Sequence, residues 1–129
     1  MDDAERFVVG QKALINKDGK VLVLNDPERG LDLPGGKIQV GEEDLRQALR
    51  REITEETSLE VEILDPINVG YWNKTRPTYF VFFKAKYKSG DVRISDEHDG
   101  HEWVGKEDLE KLDKSSSFYQ ILENYFLGA

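Results

Sequence analysis

Three glutamates, Glu52, Glu55 and Glu56, stand in a helical stretch that aims two of them at the protein's own interior. The segment Glu43–Leu59 reads EDLRQALRREITEETSL, with apolar residues at helical spacing. At about 100° per residue, counted from Leu45, Leu49 falls at roughly 40°, Ala48 at roughly −60° and Ile53 at roughly 80°. On the same wheel Glu52 falls at roughly −20° and Glu56 at roughly 20°, inside the apolar stripe, with Glu55 at its edge near about −80°. A solvated helix carries its acids opposite the stripe. Burying like-charged carboxylates together costs several kcal/mol unless something neutralises them. For an all-oxygen site the natural neutraliser is a hard divalent cation such as Mg2+. The residues point to a metal centre before they point to a fold.

The bulk properties narrow the setting. A length of 129 residues suits one domain with a real core, so a single domain over residues 1–129 is expected. At 38% hydrophobic and 34% charged residues, the composition is that of an ordinary globular protein rather than a disordered or membrane one. No apolar run approaches the ~20 residues of a membrane span, and no basic-then-apolar start resembles a signal peptide. The absence of cysteine excludes disulfides, thiolate catalysis and cysteine–zinc sites, and fits a reducing cytoplasm, the expected location. A formal net charge of −8 argues against binding to nucleic-acid polymers, which relies on Lys and Arg. An anionic substrate would need local help from a metal or a basic patch.

The elements that must position the acids can be read in order. Phe7–Ile15 is apolar and β-branched, the Asp18-Gly19 pair signals a hairpin, and Lys20–Leu24 is the returning strand. Asn25–Gly30 is a polar loop, and Leu31–Gly36 (LDLPGG) a short extended piece broken by Pro-Gly-Gly. The acidic helix follows. Glu60–Asn68 alternates as a strand, with Asp65-Pro66 marking a bulge or an edge. Thr78–Tyr87 is apolar on both faces at its start, as in a strand covered on both sides. Ser95–Gly100 (SDEHDG) is an acidic loop and His101–Val104 a short strand. Gly105–Leu112 and Phe118–Leu127 read as helical. This order predicts an α/β fold, a mixed central sheet between helices in an α/β/α sandwich.

The stretch Gly35–Leu59, GGKIQVGEEDLRQALRREITEETSL, closely resembles the signature box of the Nudix (MutT-like) hydrolases. That box is a glycine, five residues, Glu, seven residues, Arg-Glu, an aliphatic, any residue, Glu-Glu, any residue, Gly and an aliphatic. Arg51, Glu52, Ile53, Glu55 and Glu56 match its central run and Leu59 its last aliphatic. At roughly 6% per residue type, the four fixed residues of R-E-x-x-E-E recur by chance about once in 10⁵ starts. Two positions depart from the pattern. Ser58 stands where the family has Gly, a helix end that calls for a left-handed backbone and should cost about 1 kcal/mol. The loop after Gly36 is one residue longer than the family spacing, so either Glu42 or Glu43 fills the first box glutamate.

The resemblance implies roles. Glu52 and Glu56 would be ligands of Mg2+ (or Mn2+), with Glu55 joining directly or through water. Gly35 would add its backbone carbonyl, and Arg51 would hold the carboxylates in place. A further acid from the loop after the box would serve as ligand or general base. Glu97 is the choice, with Asp96, Asp99 and Glu102 as competitors. His98 and His101 could be bases or ligands, but lone histidines in a polar loop are more often surface residues, and they are left unassigned. The implied reaction is attack of water on phosphorus in a diphosphate linkage of a small nucleoside diphosphate derivative, a nucleoside triphosphate or an ADP-ribose-like compound. Outside the box, Tyr71, Trp72, Asn73, Lys74 and Arg76 form a candidate patch of aromatics and cations for base and phosphate, with Arg29 a second phosphate contact. The family also implies a possible homodimer. One alternative stays open, a non-catalytic nucleotide-binding domain on the same fold. A fold-related prenyl-diphosphate isomerase is set aside, because such enzymes usually use a cysteine and the chain has none.

Overall fold

The computed structural model describes residues 3–73 and 75–128. Strands β1 (Val8–Lys17), β2 (Lys20–Asp26), β3 (Gly30–Asp32) and β4 (Gly35–Lys37) precede helix α1 (Leu45–Thr57). After α1 come β5 (Glu60–Trp72), β6 (Thr78–Ser89), β7 (Gly100–Val104), a 3-10 helix (Lys106–Lys111) and α2 (Tyr119–Leu127). The strands form a mixed sheet in the order β3-β2-β1-β6-β5, with β4 also on β1 and β7 also on β2. Of its pairings β1–β6 is parallel, running from Val8↔Thr78 to Asn16↔Lys86, and the others are antiparallel. Among the described residues no helix is long and apolar enough to cross a membrane.

Consecutive apolar residues in β1, β2 and β6 feed two cores on opposite faces of the sheet. Ala13, Ile15, Leu22, Leu24, Phe83 and Ala85 pack under Leu49 and Ile53 of α1. Leu14, Val21, Val23 and Phe82 pack under Leu109 of the 3-10 helix and Ile121 and Leu122 of α2. The result is the expected sandwich.

A split between β1 and β2 matters most for the site. The Asp18-Gly19 turn, with φ of 53° and 83°, closes the hairpin, and the two strands pair only at Asn16↔Val21 and Lys17↔Lys20. Beyond that they separate, and residues 30–37 fill the wedge. There β3 lies on β2 (Leu24↔Asp32) and β4 lies on β1 (Lys12↔Gly35). The Leu33-Pro34 step crosses from one strand to the other, so Asp32 and Gly35 line the opened end of the sheet.

The Asp44 side chain accepts the Gln47 N–H at 3.1 Å, so α1 starts at Leu45, two residues later than the apolar pattern alone suggested. Leu45 itself is 39% exposed, and the buried stripe runs through Ala48, Leu49, Ile53, Glu56 and Thr57. Strand β5 extends four residues beyond the expected Asn68, to Trp72, on an outer edge of the sheet, and breaks register around Pro66 as the Asp-Pro step implied. The segment after Gly105 forms a 3-10 rather than an α-helix; the Asp108 carboxylate binds the Gly105 N–H at 2.8 Å and tightens the turn.

Ser58 adopts φ 65° and donates its N–H to the Thr54 carbonyl, the left-handed end the family glycine serves. Ser58→Gly should therefore stabilise the protein by about 0.5–1 kcal/mol, read from urea unfolding. An unchanged or lower midpoint would mean that the Ser58 Oγ bond to the Arg93 carbonyl, 3.3 Å long, offsets the strain.

Candidate active site

Glu56 lies at the floor of the opened end, 6% exposed, with Oε1 accepting the Gly35 N–H at 2.9 Å. Gly35 has φ 140°, and a Cβ there would collide with the Gln11 carbonyl, so only glycine brings this amide over the helix. A Cβ on Gly36 would stand 2.6 Å from Glu52 Oε2, so the second glycine clears room for the second carboxylate. Burial pushes the Glu56 carboxyl up to about 7, against the pull of the Gly35 hydrogen bond and the charges of Lys12 and His98. Glu52, half-buried, is raised as well, by burial first; Arg51 opposes this, and Glu55, Glu42 and Glu97 add repulsion.

Arg51 organises the outer half of the cluster. Its guanidinium reaches Glu42 at 2.9 Å, Glu55 at 2.9 Å and Glu52 at 3.5 Å. Glu42 also accepts the Gln39 N–H at 2.7 Å, which with Arg51 holds its carboxyl below the usual range. Glu42 rather than Glu43 therefore lies beside Arg51. Five residues separate it from Gly36, so the extra residue falls between it and the helix, at Glu43-Asp44. Glu55 is exposed and faces Arg51, while Glu56 is buried one residue further on.

The post-box loop is docked directly on the acidic helix. The Ser95 N–H binds the carbonyl of Glu56 and the Arg93 N–H that of Thr57, satisfying carbonyls that the helix end leaves free. At its other end the Asp99 N–H binds the Asn25 carbonyl, and the Asn25 side chain binds Asp99 Oδ1 at 2.6 Å. Between these anchors Glu97 and His98 meet Glu56, with ligand-capable atoms of all three within 4.8 Å of one another. Asp99 is occupied by Asn25, and Glu102 sits on β7 opposite Val23, away from this group.

Sequence reasoning missed the groups behind Glu56. His98 is not a surface residue: it is 6% exposed, because its loop is pinned at both ends against α1 and β2. His98 Nε2 meets Asp32 Oδ2 at 2.8 Å, and Lys12 Nζ meets Asp32 Oδ1 at 3.0 Å. His98 Nδ1 and Ser95 Oγ are buried without a protein partner. Burial works against the Asp32 charge, but His98 and Lys12 hold its carboxyl below the usual range; Asp32 in turn raises His98, against burial. The signal for Lys12 was present in the sequence, a lone cation inside the apolar run FVVGQKALI. Asp32 and His98 carried none, since neither a three-residue strand nor a loop has a periodicity to break.

The proposed substrate patch does not hold together. Tyr71 and Trp72 are adjacent in β5 and so face opposite sides of the sheet. Tyr71 is exposed and stacks on Phe7 at 5.5 Å. Trp72 packs edge-on against Phe80, Phe82 and Phe118 at 5.1–6.0 Å, which makes it core rather than a stacking platform. Arg29 and Arg76 are exposed on separate loops, as is Asn73, and Lys74 lies outside the described residues.

A mixed central sheet between helices, with a carboxylate-rich helix beside a glycine pair, defines the class as an α/β sandwich. The chain matches the NUDIX domain over residues 7–125 and belongs to the Nudix (MutT-like) hydrolase family. A MutT-like protein of Streptomyces ambofaciens is 29% identical over 97 residues, covering 74% of this chain and 62% of its own. The asymmetrical bis(5'-nucleosyl)-tetraphosphatase of Mus musculus is 33% identical over 86 residues, 61% of this chain and 58% of its own. The chain thus spans about three fifths of the length of these curated relatives. The crystal structure of a MutT protein from Methanosarcina mazei Go1 superposes with a TM-score of 0.81 at 27% identity, covering 95% of this chain and 94% of that one.

With a folded value near 7 against an ordinary 4.5, Glu56 favours folding below pH 4.5, and that contribution is lost as the pH rises to about 7. A displacement of this size is worth on the order of 3 kcal/mol. Glu56→Gln keeps the Gly35 acceptor but cannot ionise. Without divalent metal, the variant should be the more stable at pH 8, with the gap shrinking by pH 5, in urea titrations of both proteins. Parallel pH profiles would mean that Glu56 is not desolvated.

Proposed function

We propose that this chain is a divalent-metal-dependent hydrolase that cleaves the diphosphate linkage of a small nucleoside diphosphate derivative by attack of water at phosphorus. The observation that carries the reading is the buried carboxylate of Glu56, held by the Gly35 amide and facing Glu97. A desolvated acid among other acids is a costly arrangement that a bound cation converts into a binding site. The donor set suits Mg2+ or Mn2+: Glu52, Glu56 and Glu97 as ligands, Glu55 directly or through water, and the Gly35 carbonyl as a backbone oxygen. When bound, such an ion neutralises phosphate oxygens and lowers the pKa of the attacking water.

The protein's own groups have separate tasks in this reading. Arg51 is a positioning residue that keeps Glu42, Glu52 and Glu55 from splaying apart. Glu97, exposed on a loop pinned at both ends, is the acid with access to incoming water and to its proton. Arg29 and Arg76, exposed on separate loops, and the half-exposed Tyr71 ring would each have to meet the substrate singly rather than as one patch. The name of the mouse relative favours dinucleoside polyphosphates as one substrate class; nucleoside triphosphates and ADP-ribose-like compounds are the others. We take one domain to carry the whole activity, in a reducing cytoplasm that suits a chain without cysteine.

The test is phosphate release from a panel of these three classes, with and without Mg2+ or Mn2+. Metal-dependent turnover of one class is expected, and Glu56→Gln should lower kcat at least about 100-fold in a folded protein. Glu42→Gln should cost far more activity than Glu43→Gln. Nucleotide binding without turnover on any class would overturn catalysis in favour of a binding domain.

A further inference from the structure

The imidazole of His98 stands where an all-oxygen site has no use for one. It is 94% buried by its 6% exposure, its ligand-capable atom lies within 4.8 Å of those of Glu56 and Glu97, and its Nδ1 has no protein partner. A buried polar atom left unpaired costs on the order of 1–3 kcal/mol, so this ring is a liability unless something takes that nitrogen. The opposite nitrogen is already committed, since Nε2 meets Asp32 at 2.8 Å. A carboxylate on one ring nitrogen fixes the tautomer and leaves the other as a bare lone pair. Metal-ligating histidines are oriented in this way.

Resting on the metal-site reading above, we infer that His98 is itself a ligand of the divalent cation through Nδ1, oriented by Asp32. The site is then a mixed nitrogen–oxygen site. Nitrogen donors favour transition ions over the hard Mg2+, so the protein discriminates in favour of Mn2+. Asp32, Asp26 and His98 also cluster within 4.8 Å, but no cation belongs there. Lys12 already neutralises Asp32 at 3.0 Å, and Asp26 accepts the backbone amides of Glu28 and Arg29. Lys12 instead keeps Asp32 ionised beneath the ring, so that Asp32 accepts the Nε2 proton rather than donating one. Metal and proton compete for Nδ1, and the anionic cluster of Glu56 and Glu97 favours the ion of higher charge.

The chain has two histidines, His98 and His101, which makes the assignment measurable by spectroscopy without turnover. Pulsed EPR of the Mn2+-loaded protein should show coupling to a directly bound 14N, replaced by the 15N pattern when histidine is isotopically labelled. The signal should vanish in His98→Gln and persist in His101→Gln, whose parent residue is exposed on β7. His98→Gln should also weaken Mn2+ binding roughly tenfold and Mg2+ binding much less. Mn2+ bound without any nitrogen coupling in the labelled wild type would overturn histidine ligation and leave the carboxylate site standing. Coupling that is lost in His101→Gln instead would overturn the assignment to His98. No Mn2+ binding at all would overturn the metal-site reading, and this inference with it.

Discussion

The structure depends on keeping one carboxylate, that of Glu56, out of water. The helix α1 can bury its apolar stripe only by carrying this acid inward with Ile53 and Leu49, because the three share a face. Each neighbour of Glu56 reads as a response to that charge. The Gly35 amide comes from a strand whose backbone no other residue could adopt. Lys12 comes from the middle of the most buried strand, and His98 from a loop tied to the carbonyl of Glu56 itself. Together they still leave the carboxyl at about 7, well above an ordinary acid. The compensation is partial, and a bound cation would complete it.

The split sheet is what makes this geometry available. A hairpin that stayed paired along its whole length would close the space between β1 and β2. Here the strands part after two residue pairs, and β3 and β4 enter between them, delivering Asp32 and Gly35 to the same opening. The long parallel pairing of β1 with β6 and the two cores keep the frame rigid while one end stands open. Stability is thus drawn from the faces of the sheet, and the acidic cluster gathers at a gap along one strand edge.

Much of this was legible in the chain. The wheel of α1 showed Glu56 inside the stripe, and the Arg-Glu-x-x-Glu-Glu spacing identified the family before any coordinates. The β5 bulge at Pro66 and the strained Ser58 followed from local backbone chemistry. The parts that were not legible depend on contacts between distant segments. Whether Glu42 or Glu43 faces Arg51 depends on how a loop spends one extra residue, and only the Gln39 and Arg51 bonds decide it. Trp72 and Tyr71 look equivalent in sequence, yet strand alternation sends one into a cluster of phenylalanines and the other to solvent. His98 is read as a surface residue by composition because docking of its loop, not its neighbours in sequence, buries it.

The acids divide into two electrostatic halves that answer to different physics. Glu42, Glu55 and Arg51 form an outer comb at the surface, where water and salt screen each pair and the net worth of any one bridge is small. Glu56, Asp32, Lys12 and His98 form an inner chain with little access to solvent, where the same charges act at full strength and removing one leaves another unpaired. Glu52 bridges the halves: Arg51 reaches it from outside, and its carboxylate fills the space that a side chain on Gly36 would need. A cation drawn to this cluster would therefore be steered by the outer acids and held by the inner ones. In that arrangement the outer set would govern how readily an ion arrives, and the inner set which ion stays.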